Sequence, residues 1–195
     1  MANRAYLYST NFVPGTETEE RRIVGLSEWR YDIPIVFKLL LSGNPKRCSS
    51  LIWEEPDAIA VIGNYDEGVA RLLEFLECVP HPAVAALAEE AREFLEADQN
   101  RNDYFLLEPN EIFDLGNDAP EEQADSLLAE FADLGPQMEK AIAELEARMH
   151  EEDHPPGFFA RLFGARTPVR RDNSNDMVYA FGLGGWSRSL FYQPE

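Results

Sequence analysis

This chain is poor in histidine and cysteine, two side chains that serve as catalytic base and nucleophile. It has 195 residues, with only 3 histidines and 2 cysteines among them. Cys48 and Cys78 lie far apart in apolar surroundings. Two thiols are too few for a disulfide scaffold, so a buried, reduced pair is expected. Cations are also scarce, at 17 Lys and Arg against 36 Asp and Glu, a formal net charge of −19. Such a balance repels phosphodiester backbones and anionic membranes, which argues against a direct nucleic-acid or membrane partner. Long apolar runs are missing as well. The opening MANRAYLYST has no apolar signal core, and IPIVFKLLL is short and contains Lys38, so neither is a membrane segment. A soluble, cytoplasmic protein is the expectation.

Apolar residues nonetheless make up 45% of the chain and aromatics 11%, which supplies a hydrophobic core and argues against disorder. No internal repeat and no linker divides the sequence, so residues 1–195 read as one domain. RAYLYST and RIVGL alternate as strands, and CSSLIW and AIAVIG resemble a strand pair. Asp32 and Pro34 open a helix through IPIVFKLLLSG, closed by Gly43. Asn64 and Glu67 form a capping-box pattern before YDEGVARLLEFLECV, with Leu72, Leu73, Leu76 and Val79 on one side. A helix from Ala83 to Ala97 buries Leu87, Ala91, Phe94 and Leu95. YFLL reads as a strand. Asp118 is placed to cap a helix running to Leu134, and Gln137 to His150 repeats apolar residues at helical spacing. MVYAFG and SRSLFYQ alternate like a terminal hairpin. These features predict an α+β fold: a mostly antiparallel sheet of N-terminal and C-terminal strands packed with about four helices.

Several motifs invite a catalytic reading and fail on their neighbours. GLGGW holds three glycines, but a phosphate cradle needs a helix behind them, and WSRSLFYQPE alternates instead. A glycine-rich turn explains it, with Trp186 at the edge of the core. HEEDH, from His150 to His154, matches the zinc-hydrolase pattern in which two imidazoles one turn apart hold the metal. Here, however, the flanking residues are charged, and Pro155 biases His154 away from helical geometry. A metal-dependent hydrolase at this segment is the alternative to a binding protein. DQNRND lacks the glycine and closing glutamate of a calcium loop. No nucleophile elbow occurs, and His81 lies between two prolines. Arg161, Arg166, Arg170 and Arg171 accompany Phe158, Phe159 and Phe163; they are expected to offset the chain's own acidic helices or cap their carbonyl ends, with a nucleic-acid patch as the alternative. No catalytic residue, resident metal or cofactor is assigned.

The charge is concentrated. Residues 89–153 carry 21 acidic and 4 basic side chains, whereas elsewhere 15 acidic nearly balance 13 basic. Solvated helix faces account for part of this. The remainder suggests a docking face, since folding does not require such self-repulsion. The segment from Asp98 to Asp118 mixes carboxylates with aromatic anchors. Asp98, Asp103, Tyr104, Glu108, Glu111, Phe113, Asp114 and Asp118 are the candidate partner-binding residues.

In overall profile — small, acidic, aromatic-rich and α+β — the chain resembles bacterial immunity proteins, the cognate inhibitors of secreted or contact-delivered toxins. No single motif carries the resemblance, so no residue role transfers with it. It implies tight binding to one toxin domain, and an acidic inhibitor suits a basic toxin such as a nuclease or a nucleotide-acting enzyme. A generic cytoplasmic adaptor is consistent with the same surface.

Overall fold

Strands form where aromatic and β-branched residues alternate: β1 (Arg4–Thr10), β2 (Ile23–Arg30), β3 (Lys46–Cys48), β4 (Ala60–Asn64) and β5 (Tyr104–Glu108). The computed structural model describes residues 2–54, 58–79, 82–153 and 181–194. Its strands make one antiparallel sheet in the order β2-β1-β5-β4-β3. Six helices accompany them: α1 (Ile35–Leu41), α2 (Tyr65–Glu77), α3 (Pro82–Glu96), α4 (Asn110–Phe113), α5 (Pro120–Ala132) and α6 (Gly135–Asp153). The fold is therefore α+β, as expected, with more helices than the sequence suggested. None of these helices is long and apolar enough to cross a membrane.

The two faces of the sheet are covered differently, and this places the functional residues. On one face Ala5, Leu7, Val61, Phe105 and Leu107 join a core with Val36, Phe37, Leu72, Phe75, Ala91, Leu95, Leu127, Phe131 and Leu145 from the helices. Tyr65 stacks on Phe105 there, with ring centroids 4.1 Å apart, and donates its hydroxyl to Leu95 O. The opposite face carries Tyr6, Tyr8, Ala60, Ile62 and Leu106. Irregular chain covers it: Val13, Leu51 and Ile52 from two loops, and Leu190 and Tyr192 from the C-terminal segment.

Local differences from expectation have clear causes. The first strand of the β3–β4 pair is KRC, not CSSLIW, because Ser50 and Leu51 turn inward to bond a buried carboxylate. Asp32 accepts from Ile33 N, but Pro34 is the N-cap of α1. Asp118 does not cap α5; Ala119 does, with Pro120 in the first turn, and the Asp118 carbonyl accepts from Gln123 instead. Cys48 is buried as expected, whereas Cys78 is exposed just past α2. The described C-terminal residues 181–194 contain no strand. Val36 N donates to Phe181 O at 3.0 Å and Ser187 N to Leu26 O at 2.9 Å, so the segment spends its backbone groups on α1 and β2. Gly182, Gly184 and Gly185 all have positive φ, which the turn requires, and no helix follows them. Trp186 stacks on Phe94 at the margin of the core. Residues 177–180, His81 and Arg161 to Arg171 lie outside the described residues.

The Asn64 cap is as read from the sequence: its side chain accepts from Glu67 N at 3.0 Å. Asn64→Ala should lower stability by about 1 kcal/mol, measured by urea denaturation. An unchanged midpoint would show that water replaces the bond.

Candidate functional site

The eight residues singled out between Asp98 and Asp118 flank β5, and the strand separates them. At its start, Asp98 and Asp103 are exposed and Tyr104 is half-buried. Asn64, Asp66, Arg101, Asn102, Asp103 and Tyr104 line an open cavity of about 340 Å³ there. The Asp66 carboxylate pairs with Arg101 at 2.9 Å across it. Asp114 and Asp118 are exposed beyond the other end of the strand. Five residues of strand span roughly 16 Å, so the two acidic groups do not form one continuous face.

Between them the side chains turn inward. Glu108 is fully buried, and Phe113 is 5% exposed in the core. Glu111 is half-buried and committed: its carboxylate accepts from Arg4 N at 2.8 Å and from the Tyr6 hydroxyl at 3.0 Å. Arg4 Nε lies 3.1 Å from Glu28, which closes a polar cluster at this end of the sheet. Thus Glu108 and Phe113 are buried, Glu111 is half-buried and hydrogen-bonded to Arg4 and Tyr6, and Asp98, Asp103, Asp114 and Asp118 are exposed, with Tyr104 half-buried.

Glu108 has an unusual position for a carboxylate. Alternation along β5 places Tyr104, Leu106 and Glu108 on the face away from the helices. Its oxygens accept from the Ser50 hydroxyl and from Leu51 N, both at 2.6 Å. Burial pushes its carboxyl up to about 7, although those two bonds favour the charged form and offset part of the cost. Burial also raises Cys48 to about 12, and the nearby Glu108 charge adds to it. Tyr8 is shifted far upward for the same two reasons. The arrangement latches the loop at Ser50–Leu51 to the sheet.

Among the described residues, no three His, Cys, Asp or Glu side chains are placed to hold a metal. α6 runs through His150 to Asp153, while His154 lies outside the described residues.

The exposed loop after α4 behaves differently. Leu115 is 54% exposed, and Asp114, Gly116, Asn117, Asp118 and Ala119 around it are all exposed. Gln123 holds the loop in shape by donating to the carbonyls of Phe113 and Asp118. Asp114, Asp118, Glu121 and Glu122 enter no ion pair among the described residues. Glu121 and Glu122 favour the positive end of α5. Asp114 has no such reason, because it caps the negative end of α4.

A family described as a domain of unknown function, DUF7822, matches residues 11–148. The chain belongs to that family. No curated protein and no solved structure matches it. The DUF7822 span holds all eight candidate residues and the loop around Leu115. It leaves out β1, the strand between β2 and β5, and the C-terminal segment that meets α1 and β2.

Sequence reasoning missed the burial of Glu108 and the exposure of Leu115. The YFLLE alternation was the available signal for the first, since it puts Glu108 on the same face as Leu106. For the second, a leucine inside DLGND, with no helical period around it, was the hint.

Proposed function

We propose that this DUF7822 protein is a non-catalytic protein-binding module, an immunity protein that holds a basic toxin in the cytoplasm. A nuclease or another nucleotide-acting enzyme is the toxin class that such an acidic inhibitor suits. The observation that carries the reading is the loop after α4, where an exposed leucine lies among carboxylates that enter no ion pair among the described residues. Unpaired like charges steer an oppositely charged partner into encounter, and a desolvated apolar anchor then supplies residence time. A cationic partner relieves both the repulsion and the exposure. Neither need is met within the described fold.

The test uses the product of the adjacent reading frame, where a cognate toxin would be encoded. Its binding is measured by stopped-flow and calorimetry at 50 and 300 mM salt. Binding whose association rate falls steeply with salt is expected. The Asp114→Asn, Asp118→Asn double variant should slow association about tenfold at low salt and little at high salt. No binding, or kinetics indifferent to both salt and variant, would sink the reading.

A further inference from the structure

Among the described residues three large apolar side chains are strongly exposed: Tyr31 at 62%, Phe191 at 55% and Leu115 at 54%. They come from distant parts of the sequence, yet hydrogen bonds bring them to one end of the sheet. Tyr31 N donates to Asn3 O at 2.9 Å, and the Asn3 amide donates to the carbonyl of Glu111. Leu115 follows Glu111 by four residues across the single turn of α4, a rise of about 6 Å. Arg4, beside Asn3, donates its backbone N–H to the Glu111 carboxylate and lays its guanidinium 4.9 Å from the Phe191 ring centroid. Phe191 N in turn donates to Glu28, the partner of Arg4. The Arg4–Glu28–Glu111 cluster is therefore a polar centre that holds Phe191 directly, is joined to Tyr31 through Asn3, and lies one turn of α4 from Leu115.

Two further features set this end apart. Tyr31 has φ +65°, a conformation that a bulky side chain rarely adopts, and it holds the ring out into solvent. The free charges beside the apolar groups are mainly negative. Asp32, Asp114 and Asp118 are exposed and enter no ion pair among the described residues, against the exposed cations Arg30 and Arg188. With a formal net charge of −19, a second copy of the chain is a poor occupant.

We propose that this end of the sheet, marked by Tyr31, Leu115 and Phe191, is the docking surface for a protein segment with lysine or arginine side chains around an apolar anchor. The inference rests on the protein-binding reading above and deepens it by naming where and how the partner is met. Aromatic and aliphatic anchors inside a polar rim are the pattern of an interface hot spot, and Arg4 is already neutralised, so it does not repel a cationic visitor. Asp32, Asp114 and Asp118 supply the attraction, and the three apolar groups supply the contact that salt does not screen.

The probe is a synthetic peptide of alternating lysine and tryptophan, with an oligolysine of equal length as control. Binding is followed by amide chemical-shift mapping of the full chain at 150 mM salt. Shifts are expected at residues 3–4, 30–32, 114–118 and 191, with the mixed peptide binding at least tenfold more tightly than oligolysine. Leu115→Ser with Phe191→Ala should weaken the mixed peptide about tenfold and leave oligolysine unchanged. Tyr31→Asn, which suits the left-handed backbone, removes the ring without adding strain and should weaken it severalfold. Thermal melts check that each variant is folded. Absence of binding, equal binding of the two peptides, or shifts centred on α3 or α5 to α6 would overturn the surface. The adjacent gene product tests a separate point. If the peptide maps to this end while that product stays unbound, the surface stands and the immunity reading fails.

Discussion

Glu108→Gln is expected to stabilise the protein by about 3 kcal/mol at pH 8 and to leave it nearly unchanged at pH 5. The reason is linkage. In the folded chain, burial raises the Glu108 carboxyl from the ordinary glutamate value of 4.5 to about 7. Between those values the folded state keeps a proton that the unfolded state releases. Stability from this group is thus full below pH 4.5, falls as pH rises, and is lost above about 7. At about 1.4 kcal/mol per pH unit, the window amounts to about 3 kcal/mol. Glutamine keeps a carbonyl oxygen to accept from Ser50 or Leu51 and never ionises. Subtracting the two pH profiles of urea stability isolates Glu108 from the other carboxylates. A difference curve that is flat from pH 5 to 8 would show that water reaches this carboxylate. In thermal terms the gap at pH 8 is roughly 6 to 12 °C for a domain of this size.

The second large effect is steric. A Cβ at Gly68 on α2 would stand 1.9 Å from the carbonyl oxygen of Leu40 and 2.7 Å from its carbonyl carbon. At Gly63 on β4 it would stand 2.2 Å from the carbonyl oxygen of Leu41. Two glycines from different elements thus seat the C-terminal turn of α1, and the obstructing atoms are backbone that no rotamer change moves aside. Alanine would normally gain about 1 kcal/mol inside a helix. Here it must push α1 outward, and Phe37, Leu39, Leu40 and Leu41 are buried on that helix. Overpacking against a fixed backbone costs more than the propensity returns. Gly68→Ala should lose about 3 kcal/mol or more, read as a fall in urea midpoint. Gly135→Ala is the control, because its nearest neighbour would be an Asp133 oxygen at 3.5 Å. Equal behaviour of the two variants would refute the seating argument.

The sequence was most legible where one short-range interaction decides the outcome. Asn64 caps α2 because Glu67 N lies within reach three residues on, whatever the rest of the chain does. The alternation in β1 and β5 needs no partner to be read. Pro34 and Ala119 instead took the cap places assigned to Asp32 and Asp118, the latter with Pro120 just inside the helix, where a ring that fixes φ fits without any side-chain bond. The candidate site was less legible still. Asp114 and Asp118 were read as exposed, and they are; Glu108 and Glu111 looked the same in sequence and are bound to Leu51 N and Arg4 N. A carboxylate carries no local mark of whether a distant amide will meet it.

Composition and periodicity, then, determined that this chain folds as an acidic α+β protein with a core drawn from both helices and strands. They do so because burial of apolar surface depends on pattern, and pattern is written along the chain. Which carboxylates stay in water, and which apolar side chains gather beside them, was decided only in three dimensions. Asn3, Glu111 and Arg4 join segments separated by more than a hundred residues, and Tyr31, Glu111 and Phe191 meet at one end of the sheet for that reason. Electrostatic and hydrophobic forces act through space, so the surface that a partner meets is a property of the folded sheet and its crossings.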